Sequence, residues 1–359
     1  MKKMLLFSLL FFIFMSNCYA SRDSAYEYIL IDQTTGRVLE GKNYNTPALI
    51  ASITKIMTCV IAIESGKLDK TVLVDDTILK SYGSGIYIEV GEKLTLNDLL
   101  YGLMLRSGND AALMVAKYVG GSVDKFVTSM NEKANEIGMK NTTFVNPSGL
   151  DNDDSGNYST AYDMALLTRY AMQYKSYRKI VSTKSYTLKT NKKTYVWKNK
   201  NKLLNEDYIT GGKTGYTEKA RRTLVSTASH DNMDLIVVTI RDSDDWNTHK
   251  TLYKEAFNNY KVYKFLSKDN FNITKDDYYK GDFYIKNDVY IPVLDTELNS
   301  ISSKIELEKL DDYKTGDKVG EYKILLDKDV IYTENIYIKK KVSTSSKKSF
   351  WSYIKGIFK

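Results

Sequence analysis

Hydrophobic and polar positions alternate with a period of two over residues 25–44, which predicts a pair of β-strands. Residues 34–36 (Thr-Thr-Gly) interrupt the alternation and predict the turn between the two strands. A nearly unbroken apolar run follows at residues 52–64 and stops just before Gly66, as expected of a helix that is buried on most sides. The chain is therefore predicted to begin with a hairpin followed by a core helix.

Helical periodicity recurs through the middle of the chain, and strand-like alternation replaces it after Thr183. Strands, a helical middle, further strands and a closing helix are typical of an α/β domain with a mainly antiparallel sheet. The predicted helices cover residues 95–105, 111–118, 123–137, 160–173 and 246–265, and the predicted strands cover residues 184–189, 194–198, 207–214, 222–229 and 234–241.

The last quarter of the chain has a different pattern. Residues 271–338 hold short alternating segments that predict a small all-β domain, and residues 339–348 form a basic, serine-rich linker. Residues 349–359 are too short to span a bilayer but separate an apolar from a polar face, which predicts a helix lying in the membrane interface. A terminal helix docked on the protein and a frayed end are the alternatives. The apolar face comprises Phe350, Trp351, Tyr353, Ile354, Ile357 and Phe358.

The amino terminus predicts a secretory signal peptide. A basic start precedes the apolar run 4–15, and the small residue Ala20 precedes a polar segment. An uncleaved anchor is the alternative, and lipidation of Cys18 is disfavoured by the bulky Asn17 before it. We therefore predict a protein secreted across the cytoplasmic membrane and attached peripherally to its outer face. The predicted organisation is a signal peptide (1–20), an α/β domain (21–267), a small β-rich domain (268–340) and a basic linker with an amphipathic membrane-anchoring helix (341–359).

The formal net charge of +8 is concentrated at the two ends of the chain. Lys2, Lys3 and the seven lysines of residues 339–359 account for nine positive charges, so residues 21–338 carry a net charge of −1. A near-neutral body lacks the basic surface that nucleic-acid binding needs, and we predict no nucleic-acid partner.

Only two histidines are present, which restricts the chemistry of a hydrolase. His230 and His249 lie in no metal-ligand spacing, so we predict no metal and no cofactor. A Ser-His-Asp triad would need one of them, and no G-x-S-x-G elbow accompanies either. In contrast, Ser52 and Lys55 lie three apart in the apolar helix and therefore share a face. A buried lysine beside a second cation can stay neutral and act as a base, although moving its pKa from 10.4 to near 7 takes about 4–5 kcal/mol.

The S-x-x-K pattern alone has little weight, because it also occurs at Ser122, Ser176, Ser345 and Ser352. Two further motifs follow it within the same domain. Ser107-Gly-Asn109 falls at a helix–loop–helix junction, and Lys213-Thr-Gly215 falls on a predicted strand, where glycine lets a substrate backbone approach closely. Each of these two motifs also occurs elsewhere in the chain, S-x-N at residues 155–157 and K-T-G at residues 314–316. The inference therefore depends on the order and spacing of the three motifs.

With S-x-x-K, S-x-N and K-T-G in this order, the chain resembles the penicillin-recognising serine enzymes. More narrowly it resembles the low-molecular-mass penicillin-binding proteins that are serine-type D-alanyl-D-alanine carboxypeptidases. The resemblance implies a β-lactamase/transpeptidase-like domain with an antiparallel sheet and a helical subdomain, followed by a small all-β domain. The segments that carry it are residues 51–58, 99–112, 144–150 and 212–217.

The resemblance also implies a role for each motif residue. The substrate would be a peptidoglycan stem peptide ending in D-Ala-D-Ala, and β-lactams would be inhibitors. Ser52 would be the nucleophile, Lys55 its base and Ser107 a proton relay to the leaving D-alanine. The substrate would be held by Asn109, Lys213, Thr214, Gly215, Tyr216, Thr217 and, as a weaker carboxylate candidate or else a structural ion pair, Arg241; the backbone N–H groups of Ser52 and Tyr216 would form the oxyanion hole.

One departure from the family pattern leaves two alternatives open. Arg221 stands where the family usually has glycine, which leaves open a non-catalytic protein that senses β-lactams or binds the wall. A class A β-lactamase would share the three motifs, but it would add an E-x-x-L-N-type segment between S-x-N and K-T-G. The similar string at residues 296–299 lies after K-T-G instead.

Overall fold

A computed structural model of the chain describes residues 24–340 apart from 153–154, 272, 274–277 and 280. The predicted signal peptide (1–20) and amphipathic tail (341–359) lie outside the described residues, so both stay predictions. Within the part that is described, no helix is long and apolar enough to cross a membrane.

The described residues form an alternation of strands and helices. The strands are β1 (Ala25–Asp32), β2 (Val38–Lys42), β3 (Ala48–Leu49), β4 (Thr71–Leu73), β5 (Lys93–Thr95), β6 (Tyr158–Ser159), β7 (Ser185–Lys189), β8 (Thr194–Lys198), β9 (Ile209–Thr217), β10 (Arg221–His230), β11 (Met233–Asp242), β12 (Tyr260–Leu266), β13 (Gly281–Tyr284), β14 (Val289–Leu294), β15 (Ile301–Leu307), β16 (Lys318–Leu326) and β17 (Asp329–Lys340). The α-helices are α1 (Lys55–Glu64), α2 (Leu96–Arg106), α3 (Asn109–Gly120), α4 (Val123–Glu136), α5 (Ala161–Ala171), α6 (Lys175–Ser182) and α7 (Asp245–Asn259).

A five-stranded antiparallel sheet in the order β2-β1-β11-β10-β9 organises the larger part of the molecule. Both of its faces are covered, so its central strands β1, β11 and β10 are buried along most of their length. Ile236 and Val238 of β11 face a core shared with α1–α6, whereas Leu235 and Val237 face a second core that includes Leu252 of α7. The predicted antiparallel sheet with a helical subdomain is thereby confirmed.

Helix α1 runs through the larger core and begins directly after a 3₁₀ turn formed by Ala51–Thr54. Eight of its ten residues are buried, among them Cys59, whose thiol pKa is raised by burial. The neighbouring helices start at ordinary caps. Thr95 forms a capping box with Asp98 at α2, and Ser122 caps α4 by accepting from the N–H of Lys125. The S-x-x-K copy at Ser122 is therefore a helix cap.

The structure differs from the predicted secondary structure in two places. The helix predicted over residues 246–265 ends at Asn259, because the alternating segment Tyr260–Leu266 pairs as β12 with β14. Helix α6 was not predicted; its sequence is mostly polar, and only Tyr177, Ile180 and Val181 are buried. The first difference comes from strand pairing that overrides a short local pattern. Helix α6 was overlooked although its buried residues follow the i, i+3, i+4 spacing of an amphipathic helix.

The carboxy-terminal part is all β, as predicted. Strands β12 and β14 form one pair, and β13-β17-β16-β15 form a four-stranded antiparallel sheet with its own apolar clusters. The division of the chain at residue 267 stays a prediction, since β12 lies before it and pairs with β14 beyond it.

Arg37 links the two parts of the chain. Its side chain is 4% exposed, forms an ion pair of 2.6 Å with Glu297 and donates to the carbonyl of Pro292. The guanidinium also lies 5.8 Å from the centre of the Tyr260 ring. Because a guanidinium stays charged, losing its carboxylate would leave a buried cation without a counter-charge.

We therefore expect Glu297→Gln to lower the free energy of unfolding by about 2 kcal/mol, as measured by urea denaturation. Glutamine keeps an oxygen for the N–H of Leu294, so the substitution removes mainly the charge. The matched control is Lys261→Gln, which breaks the exposed ion pair with Asp295 and should leave the midpoint unchanged. Equal urea midpoints for both variants and the unmodified protein would show that the Arg37–Glu297 pair contributes nothing to the free energy of unfolding.

Candidate active site

The side chains of Ser52 and Lys55 lie next to each other at the start of α1. Lys55 Nζ is 2.9 Å from Ser52 Oγ, 2.8 Å from Asn109 Oδ1 and 2.5 Å from the carbonyl oxygen of Ser148. Lys55 is fully buried, while Ser52 is partly exposed. The pair thus joins an accessible hydroxyl to an amine that is shielded from water.

Burial lowers the pKa of Lys55 well below its ordinary value, and the positive charges of Lys213 and Lys200 lower it further. Asp110 acts in the opposite direction but is the smallest of these influences. This lowering favours the neutral amine, which is the form that can accept the proton of Ser52.

Lys213 is the second buried amine of the site. Its Nζ lies 3.1 Å from Ser107 Oγ and donates to the Thr214 carbonyl oxygen at 2.5 Å. Burial lowers its pKa to about 7, with a further contribution from the charge of Lys200. Lys200 itself is exposed, and partial shielding of its amine together with the charge of Arg106 lowers its pKa as well. The charges of Lys213 and Lys200 thus lower the pKa of Lys55, and the charge of Lys200 also lowers that of Lys213.

Ser107 and Asn109 come from the junction of α2 and α3. Ser107 ends α2 in the left-handed conformation, at φ 65°, which turns the chain sharply before Asn109 opens α3. Asn109 donates through Nδ2 to the Tyr82 carbonyl oxygen at 2.6 Å while its Oδ1 faces Lys55. The S-x-N motif therefore brings one hydroxyl and one amide to the two buried lysines.

Strand β9 carries the K-T-G motif past Ser52. A Cβ atom on Gly215 would lie 2.9 Å from the backbone N of Ser52 and 2.3 Å from Thr223 Oγ1. A side chain at this position would push β9 away from the 3₁₀ turn, so glycine is required for the close approach. Tyr216, the next residue, is 59% exposed, and Thr214 is partly exposed.

The loop 146–150 was not among the predicted site residues, yet it forms the floor of the cleft. Ser148 offers its carbonyl oxygen to Lys55, and Gly149 adopts φ 82° so closely against Ala51 that a Cβ would overlap the Ala51 carbonyl. In sequence this Asn-Pro-Ser-Gly segment has the composition of an ordinary turn. The signal available was its presence in the family-like segment 144–150.

Two of the predicted substrate residues are engaged elsewhere. Thr217 Oγ1 donates to Asp151 Oδ2 at 2.7 Å, and Arg241 forms an ion pair with the buried Glu27 and lies 4.3 Å from the ring centre of Tyr26. Glu27 raises the pKa of Arg241. This is the structural ion pair that the sequence left open for Arg241, and its role in carboxylate binding stays a prediction.

A serine–histidine pair lies outside the cleft. Ser226 Oγ is 2.6 Å from His249 Nδ1, but both side chains are completely buried, and burial lowers the pKa of His249 to about 3. A hydrolase triad has to reach substrate, so this pair serves packing between the sheet and α7.

Fold and cleft together are those of a penicillin-recognising serine enzyme. A family model described as D-alanyl-D-alanine carboxypeptidase matches residues 17–244, and the chain belongs to that family. The protein named D-alanyl-D-alanine carboxypeptidase DacF of Bacillus subtilis is 36% identical over 263 residues, which are 70% of this chain and 67% of the relative. The structure of penicillin binding protein 5 from Haemophilus influenzae superposes with a TM-score of 0.75 at 27% identity, covering 88% of this chain and 97% of that one.

The buried lysines predict a pH effect for Lys200→Gln. Removing this cation raises the pKa of Lys55 and Lys213, since the repulsion that disfavours their charged forms becomes weaker. Neutral Lys55 is the active form, so the acid limb of the pH–rate profile for penicillin acylation should move to higher pH by a fraction of a unit. The control, Lys202→Gln, removes an exposed lysine and should leave the profile in place. A shift to lower pH, or equal shifts in both variants, would contradict this account.

Proposed function

We propose that the protein is a serine-type D-alanyl-D-alanine carboxypeptidase that removes the terminal D-alanine from peptidoglycan stem peptides through an acyl-enzyme on Ser52. The observation that carries the proposal is the 2.9 Å contact between Ser52 Oγ and the fully buried amine of Lys55. Family membership supports the same reaction and the binding of β-lactams.

In the first half-reaction, Ser52 Oγ attacks the carbonyl carbon of the penultimate D-alanine while Lys55 Nζ takes the hydroxyl proton. The oxyanion that forms is stabilised by the backbone N–H groups of Ser52 and Tyr216, each worth about 3–4 kcal/mol. The close packing of Gly215 on the backbone N of Ser52 supports this assignment, because it brings β9 beside the 3₁₀ turn.

Collapse of the intermediate breaks the C–N bond, and the leaving D-alanine nitrogen takes the proton of the Ser107 hydroxyl, which is 3.1 Å from Lys213. The proton that Lys55 took from Ser52 replaces the one lost by Ser107, so that Lys55 is neutral again. Lys213 also supplies positive potential for the terminal carboxylate, with Thr214 as a hydrogen-bond donor, and Asn109 holds the substrate amide.

In the second half-reaction Lys55 takes a proton from a water that attacks the ester carbonyl, and it passes this proton to Ser52 Oγ as the C–O bond to Ser52 breaks. The shortened peptide leaves as a carboxylic acid and loses the second proton of the water to solvent.

The two alternatives have less support. The segment 296–299 lies in the 3₁₀ helix Asp295–Ser300, where Glu297 is paired with Arg37, so it does not position a deacylating water. Arg221, the residue that left the β-lactam sensor open, is exposed at the start of β10 with φ 57°. The experiment below distinguishes a sensor without peptidase activity from the carboxypeptidase.

The test combines fluorescent penicillin with a stem pentapeptide ending in D-Ala-D-Ala. We expect a long-lived label on Ser52 and release of D-alanine; fast loss of label would indicate a β-lactamase, and label without D-alanine a sensor. Lys55→Met keeps the apolar volume but cannot accept a proton, so acylation should fall by about 10²–10⁴-fold while the fold persists by circular dichroism. Label that survives Ser52→Ala would overturn the mechanism.

We also propose that the protein acts outside the cytoplasmic membrane and is held there by the tail. The sequence features are the predicted signal peptide and the amphipathic segment 349–359, whose nearby lysines each add about 1 kcal/mol at an anionic surface.

Deleting residues 342–359 should therefore release the protein from vesicles that contain anionic lipid in a sedimentation assay, without changing penicillin labelling. The matched control is a full-length protein in which Trp351 and Phe358 are both replaced by serine, which keeps the lysines. If the truncated protein sediments with the vesicles as before, the tail is not the anchor.

A further inference from the structure

Arg221 has a backbone conformation that its side chain disfavours. It opens β10 at φ 57°, in the left-handed region where a residue with a Cβ atom is strained and glycine is not. Because Arg221 is exposed, packing of its side chain in a core does not account for this strain. Strained residues of this kind cluster at functional sites, so the side chain itself is a candidate for binding.

Three cationic side chains lie at the turn from β9 into β10, and within the described part of the chain Arg221 alone among them forms no hydrogen bond or ion pair. Lys219 Nζ donates to the carbonyl oxygen of Asn152 at 2.9 Å. Arg222 forms an ion pair with Asp245, whose side chain is buried. The guanidinium of Arg221 is therefore available to bind an anion.

The register of the sheet places Arg221 on the side of the cleft. Arg221 is paired with Thr217 across β10 and β9, and residues that are directly opposite lie on one face of a sheet. Thr217 donates to Asp151, at the end of the loop that forms the floor of the cleft. Thr223, two residues farther along β10 and so on the same face, donates to the Ile50 carbonyl oxygen just before the 3₁₀ turn of the nucleophile. Arg221 thus belongs to the face that lines the cleft.

The spacing along β9 indicates which part of the substrate passes Arg221. In the proposed reaction the terminal carboxylate lies at Lys213 and the reacting carbonyl at Ser52, so the earlier residues of the peptide run towards Thr217. Gly215 packs on Ser52, and Thr217 lies two residues farther, about 7 Å along the strand. Two residues of an extended peptide also span about 7 Å. Since the reacting carbonyl belongs to the fourth residue of a pentapeptide, the second residue comes level with Arg221.

From this placement we infer that Arg221 binds a free carboxylate on the second residue of the stem peptide and so contributes to substrate selection. The inference rests on the proposed carboxypeptidase function and extends its recognition of substrate beyond the reacting end. A glutamate that is joined to the next residue through its γ-carboxyl group keeps its α-carboxylate, whereas the corresponding isoglutamine carries a neutral amide there. A guanidinium binds a carboxylate through two parallel hydrogen bonds, a geometry that the amide does not match. Arg221 therefore favours the acidic peptide over the amidated one.

The test measures kcat/KM for D-alanine release from two pentapeptides that have lysine as the third residue and differ at the second, which is γ-linked D-glutamate or D-isoglutamine. The unmodified enzyme should prefer the glutamate peptide by about fivefold, as expected of an exposed but bidentate charge pair. Arg221→Gly should abolish this preference, and Arg221→Lys should retain part of it because the charge remains. Glycine adopts φ 57° without strain, so Arg221→Gly should not lower the urea midpoint. Penicillin has no counterpart of the second residue, and labelling of Ser52 should be unchanged.

Lys219→Gln is the matched control, because it removes a positive charge from the same turn but one that Asn152 already holds. Its preference between the two peptides should equal that of the unmodified enzyme. A third peptide with diaminopimelic acid in place of lysine tests the other carboxylate nearby. If Arg221→Gly changed the ratio between this peptide and the lysine peptide, the carboxylate would belong to the third residue and the inference would be wrong.

Two further outcomes separate the inference from the proposed function. Equal kcat/KM values for the glutamate and isoglutamine peptides, or a preference that persists in Arg221→Gly, would overturn the inference and leave the proposed function standing. Failure of the unmodified enzyme to release D-alanine from any peptide would overturn both.

Discussion

The active site depends on two lysines that are buried without carboxylate partners. Lys55 and Lys213 are almost completely shielded from water, and their mutual repulsion makes it costly for both to be charged at once. Asp110, whose charge acts on Lys55, accepts hydrogen bonds from the backbone N–H groups of Ile86 and Tyr87 and forms no ion pair with either amine. The low pKa that the chemistry needs is therefore a direct result of packing, and the core of helices around α1 serves both stability and reactivity.

Two close backbone contacts surround the 3₁₀ turn that carries Ser52, which explains why the site needs a particular backbone as well as particular side chains. Gly215 lets β9 approach the turn that carries Ser52, and Gly149 lets the floor loop approach Ala51 from another side. Both contacts fix the position of the nucleophile relative to Lys55. A serine and a lysine three residues apart also occur at Ser122, where the serine caps α4, and at Ser176 in α6, whereas around Ser52 and Lys55 segments distant in sequence meet.

Much of the candidate site could be predicted from the sequence, because a lysine within an apolar helix costs free energy to bury and therefore suggests a function. Ser52, Lys55, Ser107, Asn109 and Lys213 stood out through their order along the chain, and the sheet and most helices followed from periodicity. Ser148 could not be identified in this way, since it acts through its carbonyl oxygen and any residue supplies one. The contact between Thr217 and Asp151 was likewise hidden, because it joins residues 66 apart in sequence. The end of α7 was misplaced since the pairing of β12 with β14 is invisible to a local window.

Cys59 lies four residues after Lys55 in α1 and therefore on nearly the same side of that helix. Its thiol is completely buried and its pKa is raised, so in the folded enzyme it is protected against alkylation and oxidation. A reagent reaches this sulfur only when α1 leaves its place, and that movement also separates Lys55 from Ser52. The single cysteine in the described part of the chain is therefore unreactive while Lys55 and Ser52 are in contact, and its thiol becomes reactive when that contact is lost.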